Sequence, residues 1–243
     1  MSVNRKIDNS FNLTYKKKFN MQSDINNEIL SFVMNVIDNP PDIPNNIVCT
    51  IDDGISIVSG LIKNQGDGTQ ALTPSIQYHA SNFESQVEAI EELTNIYTDI
   101  HNKHPNVVWI YTALNVNSEY EKNVSHQNWL CFNISTNTLY RFEPSQEWPE
   151  FKIEEFCLNL SRVFNSRLIQ TISEINHNDM CKAYSSLMII YFILTRTNIQ
   201  LYYDNRINST ILNIIITQLG TLYNMSNNPI PKKTRRSLGY IVH

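Results

Sequence analysis

The sequence predicts an α+β fold with a small mixed sheet flanked by helices. Helical periodicity dominates both ends of the 243-residue chain, whereas strand patterns are concentrated between residues 107 and 142. Elements grouped in this way are typical of α+β proteins. Apolar residues make up 42% of the chain, which is enough for a sizeable core, and charged residues make up only 17%.

The first 22 residues are polar and basic and predict an extended arm. Ser23 and Asp24 can cap a helix whose apolar residues recur at helical spacing up to Val36. This helix must end near Asn39, because two prolines follow it.

The segment from Ile47 to Ile57 alternates loosely between apolar and polar residues, which predicts a pair of strands around Asp53-Gly54. The Gly- and Asn-containing segment at residues 64–69 then predicts a turn or loop. Ser81 and Glu84 fit a capping box, and the helix that they open carries an apolar stripe and ends before residue 105.

The central strands come next. Residues 107–111 are almost entirely apolar, as in a buried strand. Residues 127–134 and 138–142 read as a hairpin, with its turn at Ser135-Thr-Asn137.

The rest of the chain is mainly helical. The pattern predicts helices at residues 153–164, 180–195 and 209–223, and Asp179 can cap the second of them. We divide the chain into three regions: an N-terminal arm and helical subdomain, a core and a basic tail (residues 1–105, 106–230 and 231–243).

Composition excludes several classes of protein. The net charge of −4 excludes a nucleic-acid polycation, and no apolar run is long enough to span a membrane. Four cysteines without a CxxC pair argue against a zinc ribbon or a disulfide scaffold and favour a reducing compartment. The 32 Asn and 31 Ile residues suggest an AT-rich genome.

The hairpin brings together an imidazole and a carboxylate. His126 begins its first strand and Glu143 ends its second, so antiparallel pairing places both at one edge. A carboxylate in that position orients the ring and stabilises its cation.

Cys181 lies at the start of the very apolar helix. The positive end of a helix dipole favours a thiolate, and the backbone N–H at this position could stabilise an oxyanion. Cysteine, histidine and carboxylate together are the groups that a nucleophilic catalytic site needs. His177 and Cys181 have a metal-ligand spacing but no evident third ligand, so we predict neither a metal nor a cofactor.

These motifs resemble the superfamily of the adenovirus maturation protease and the SUMO-specific proteases. A divergent branch in large DNA viruses is more similar still, through His126-Gln-Asn128, Arg141-Phe-Glu-Pro144 and Cys181-Lys-Ala-Tyr-Ser185. The resemblance covers about residues 107–198. It implies a papain-like or adenain-like cysteine protease fold with His126, Glu143 and Cys181 as the catalytic triad.

The sequence departs from the superfamily at the oxyanion position. A Gln usually lies six or seven residues before the Cys, but Ile175 and Glu174 occupy those positions here. Asn176 and Asn178 are the nearest amides and are our candidates for oxyanion donors. A carboxylate at Glu174 facing the oxyanion would oppose catalysis.

Three hypotheses follow. In the first, the protein is a viral cysteine peptidase, a hydrolase of virion maturation or of ubiquitin-like conjugates, whose substrate is a viral structural precursor or such a conjugate. In the second, it is a virion or host-interaction protein that retains the protease fold without catalysis. In the third, it is an acetyltransferase that uses the same cysteine.

We expect the protein in the host cell cytoplasm or the virion, neither secreted nor bound to a membrane. Its tail, Lys232-Lys233-Thr-Arg235-Arg236, could contact an acidic partner or nucleic acid.

Overall fold

The computed structural model describes residues 51–65, 68–118, 125–145, 151–173, 181–196, 198 and 241–242. Four helices and seven strands lie in these ranges. In chain order they are α1 (Ile51–Gln65), β1 (Gln70–Leu72), β2 (Ile76–His79), α2 (Phe83–Lys103), β3 (Trp109–Asn117), β4 (Ser125–Asn133), β5 (Thr138–Glu143), α3 (Ile153–Val163), β6 (Arg167–Ile172), α4 (Cys181–Thr195) and β7 (Ile241–Val242).

The strands form one mixed sheet. Its order is β6-β5-β4-β3-β1-β7, and β2 also pairs with β3, beyond the segment that pairs with β1. β4 pairs in antiparallel fashion with both β3 and β5. β1 and β2 pair in parallel with β3, and β6 pairs in parallel with β5. The predicted α+β class, a mixed sheet flanked by helices, is confirmed.

One face of the sheet packs against α2 and α3. Leu130, Phe132 and Leu139 point to this face and join the buried stripe of α2, which includes Leu93 and Ile96. The stripe follows from the spacing of three or four residues between its apolar positions, which repeats once per helical turn.

The other face packs against α4. Tyr140 and Phe142 alternate with Leu139 along β5, so they point away from α2, and both rings contact Phe192 of α4. Every residue of α4 from Ala183 to Thr195 is buried. A helix that is apolar around its whole circumference is typical of a central position between layers.

The predicted pair of strands around Asp53-Gly54 is wrong, because α1 spans this region. Val58, Leu61 and Ile62 are all buried, and their spacing is that of one face of a helix. Gly54 lies in α1 because the helix approaches α4 closely there: a Cβ built on Gly54 would lie 2.1 Å from Oγ of Ser186. The glycine that suggests a turn in the sequence therefore allows a close contact between two helices.

The helix predicted after residue 80 is present, but its cap is not Ser81. Asn82 occupies the N-cap position, and its side-chain oxygen accepts a hydrogen bond from the backbone N–H of Ser85 at 3.1 Å. The capping box is thus wrong by one residue. Four strands, β1, β2, β6 and β7, are not predicted by the sequence pattern either.

Other predicted elements fall where the sequence placed them. The hairpin occupies β4 and β5, and the helices predicted at 153–164 and 180–195 correspond to α3 and α4. The arm at 1–22, the helices at 25–39 and 209–223, the Asp179 cap and the basic cluster of the tail at 232–236 lie outside the described residues. Near the end of the tail, Ile241–Val242 form β7, which pairs with β1 in the sheet. The division of the chain near residue 105 stays a prediction.

Within the described ranges, no helix combines the length and hydropathy needed to cross a bilayer.

The contact at Gly54 generates a prediction about stability. We expect Gly54→Ala to lower the free energy of unfolding by about 1–3 kcal/mol, because the added methyl group overpacks the α1–α4 contact. Urea denaturation of the two proteins measures the difference. In a Ser186→Gly background the same change should cost clearly less, and an equal cost in both backgrounds would contradict the contact.

Candidate active site

The open end of the β4–β5 hairpin brings His126 and Glu143 into contact. Trp129 pairs with Phe142 in the antiparallel register, so the start of β4 lies beside the end of β5. His126 Nε2 lies 2.7 Å from Glu143 Oε1, and both side chains are buried. The predicted proximity of these two residues is confirmed.

Glu143 is held by several donors besides the histidine. The backbone N–H and the hydroxyl of Ser145 donate to Oε1 at 3.0 and 3.1 Å, and Arg141 Nη2 donates to Oε2 at 2.6 Å. Burial alone would raise the pKa of Glu143. The hydrogen bond and charge of His126, the charge of Arg141 and the Ser145 N–H outweigh it and lower the pKa below its usual range.

Because Glu143 is ionised, it only accepts hydrogen bonds, and His126 Nε2 must carry the hydrogen between them. The other ring nitrogen, Nδ1, is then the one available to a further partner. The ring also stacks on Phe151, with centroids 5.4 Å apart and planes 25° apart. A carboxylate and an aromatic ring therefore fix the orientation of the imidazole.

Cys181 is the first residue of α4 and supplies the third group. Its sulfur lies 3.9 Å from the carbonyl oxygen of Ser125, the residue before His126, and the thiol is near enough to His126 to raise the pKa of that imidazole. The first turn of α4 contains no acidic residue that would oppose a thiolate at the positive end of the helix dipole.

The contacts of His126 favour its cation. Burial lowers the pKa of His126, but its interactions with Cys181 and Glu143, together with their charges, raise it to about 9. An imidazole with this proton affinity can take the proton of the Cys181 thiol while Glu143 stabilises the resulting cation. The arrangement is thus suited to forming a nucleophilic thiolate.

Ser145 and Phe151 are parts of the site that the sequence pattern does not reveal. Ser145 follows Glu143-Pro144 directly, and a serine two residues after a carboxylate can donate to it in a tight turn. Phe151 has no comparable local signal, because only tertiary packing brings it to His126. The oxyanion candidates Asn176 and Asn178 lie outside the described residues.

In the part of the chain that the structure describes, no three His, Cys, Asp or Glu side chains converge as metal ligands would.

Comparisons with known proteins give matches at the level of the fold. No protein-family model matches the chain, and no curated protein matches it in sequence. Among solved structures, ChlaDub1 from Chlamydia trachomatis matches with 10% identity and a TM-score of 0.47, covering 76% of this chain and 96% of that chain.

Two further matches have similar scores. The C-terminal Ulp1 protease domain in complex with Smt3, the yeast ortholog of SUMO, is 11% identical with a TM-score of 0.41, covering 79% of this chain and 95% of that chain. The Legionella pneumophila effector RavZ is 12% identical with a TM-score of 0.42, covering 75% of this chain and 66% of that chain.

The raised pKa of His126 predicts how stability depends on pH. A group whose pKa is higher in the folded state stabilises the fold below its unfolded pKa, and this contribution disappears as pH rises through its folded pKa. The free energy of unfolding should therefore fall by at most about 3 kcal/mol between pH 6.5 and about 9. Urea denaturation across this window measures the fall.

Glu143→Gln tests whether the carboxylate is what raises the pKa of His126. The substitution removes the carboxylate charge, so NMR titration of His126 should give a pKa well below about 9, and the fall in stability should flatten. His79→Gln removes an exposed histidine and serves as the control. An unchanged His126 titration in Glu143→Gln would show that the carboxylate does not set it.

Proposed function

We propose that the protein is a cysteine peptidase with Cys181 as nucleophile, His126 as general base and acid, and Glu143 as the residue that orients His126. The observation that carries the proposal is the buried imidazole of His126, whose Nε2 lies 2.7 Å from the Glu143 carboxylate and whose pKa is raised by the nearby Cys181 thiol. The proximity of these groups, which come from two strands and the start of a helix, supports the proposal.

The chemistry follows from these contacts. The Cys181 thiol gives its proton to His126, and the thiolate attacks the scissile carbonyl carbon to form a C–S bond. His126 then donates the proton to the leaving amine as the C–N bond breaks. Water, deprotonated by His126, hydrolyses the thioester and restores the thiol. Glu143 stabilises the imidazolium at each stage.

For the substrate, we propose a protein: a viral structural precursor or a ubiquitin-like conjugate. Two features support the viral assignment: the Arg141-Phe-Glu-Pro144 motif and the abundance of Asn and Ile, whose codons are AT-rich. We propose the host cytoplasm or the virion as its location, since the cysteines in the described ranges are free thiols and the mechanism requires Cys181 to be reduced.

The burial of Cys181 favours a second candidate function. Cys181 is 5% exposed and His126 is 6% exposed, so a substrate carbonyl reaches the sulfur only if neighbouring residues move. A chain that retains the fold as a virion or host-interaction protein would need no such movement. The absence of Gln from the two sequence positions that precede Cys181 by six and seven residues agrees with this candidate.

Covalent capture separates the two candidates. Ubiquitin and SUMO carrying a C-terminal vinyl sulfone react with an active-site thiolate, which adds to the double bond to form a thioether. We expect one adduct at Cys181, located by mass spectrometry of the digested product. Cys181→Ala should form none, and His126→Ala should form it at least about 100-fold more slowly.

Cleavage of viral precursors tests the proposal that the substrate is a viral structural protein. Expression with candidate structural precursors should give discrete products that Cys181→Ala abolishes, with a loss of about 10⁴-fold or more. Cys157→Ala, which removes a buried cysteine of α3, is the matched control and should cleave normally. Failure of both probes and precursors to react with the folded protein would support the interaction protein.

A further inference from the structure

The cation beside the carboxylate of the site is Arg141, whose side chain is completely buried. Burying a guanidinium is costly unless its donors are satisfied. Here the three nitrogens each meet an acceptor: Nε donates to Asn128 Oδ1 at 3.0 Å, Nη1 to Gln170 Oε1 at 2.8 Å and Nη2 to Glu143 Oε2 at 2.6 Å. The acceptors come from β4, β6 and β5, so three strands fix this one side chain.

The two oxygens of Glu143 have separate partners. Oε1 accepts from His126 and from Ser145, whereas Oε2 accepts from Arg141. The terminal torsion of a glutamate is soft, so the carboxylate plane needs contacts on both oxygens to stay fixed. Arg141 supplies the contact on the side away from His126.

Arg141 also gives Glu143 a permanent counter-charge. In the mechanism, His126 alternates between the neutral ring and the cation, so its charge balances the carboxylate only part of the time. A buried carboxylate without a partner tends to take up a proton. With Arg141 present, Glu143 has a cationic partner at every stage.

We propose that Arg141 is a positioning residue, held by Asn128 and Gln170, that keeps the Glu143 carboxylate aimed at Nε2 of His126. Asn128, Arg141 and Glu143 lie on the neighbouring strands β4 and β5. One network of charge-assisted hydrogen bonds joins their side chains, as this role requires. The kinetic part of the proposal rests on the proposed function, and the structural part does not.

NMR of the His126 Nε2–H proton tests the structural part without any substrate. A proton held between imidazole and carboxylate resonates at low field and exchanges slowly with water. In Arg141→Gln we expect this signal to move upfield and broaden, in the direction of Glu143→Gln. Arg141→Lys keeps a cation and should retain the signal in part. Arg162→Gln, which changes an exposed arginine of α3, should leave the signal as it is.

The kinetic readout is cleavage of the substrate that the peptidase assay identifies. We expect Arg141→Gln to lower kcat about 100-fold with little change in KM, because the loss is one of alignment and not of substrate contact. Arg141→Lys should recover part of kcat. If no substrate is cleaved by any form, the proposed function fails while the NMR measurement still decides the role of Arg141.

Gln170→Ala covers the case in which Arg141→Gln does not fold. Gln170 is only half-buried, and its Oε1 accepts a hydrogen bond from Arg141, so it acts on His126 and Glu143 through Arg141. Its loss should loosen the guanidinium and shift the Nε2–H signal by a smaller amount in the same direction. The proposal is overturned if Arg141→Gln folds and keeps the native Nε2–H signal. If Arg141→Gln does not fold, a folded Gln170→Ala with the native signal overturns it.

Discussion

The contact between His126 and Glu143 is the interaction on which the rest of the site depends. Both groups are buried, and an ionised carboxylate in that setting requires several donors to remain charged. Antiparallel pairing of β4 and β5 supplies the geometry, because it places the first residues of one strand beside the last residue of the other. Ser145 and Arg141 complete the set of donors from within the same turn and strand.

The position of Cys181 depends on the packing of a whole helix. α4 is buried along its length between the sheet and α1, so its first residue cannot move freely with respect to β4. At the far end of this helix, Arg196 hydrogen-bonds with Tyr111 and Gln70 and lies over the ring of Trp109. Contacts at the end and along the sides of α4 thus fix the cysteine beside His126.

Much of the site could be predicted from the sequence, because its parts lie at the ends of strongly patterned elements. His126 and Glu143 flank a hairpin whose turn is local, and Cys181 opens the most apolar of the described helices. The contributions of Phe151 and Gln170 could not be predicted, since only the fold brings them to the site. Gly54 misled the prediction because a close contact between helices and a turn both favour glycine.

Selective alkylation of the native protein tests most directly whether these groups form a nucleophilic thiolate. Iodoacetamide is applied across the pH range of the His126 titration, and peptide mass spectrometry follows Cys181 alongside the buried thiols Cys131 and Cys157. We predict that Cys181 reacts first and that His126→Ala slows its reaction near neutral pH. A native Cys181 that stays unmodified, or that reacts equally fast in His126→Ala, would contradict the account.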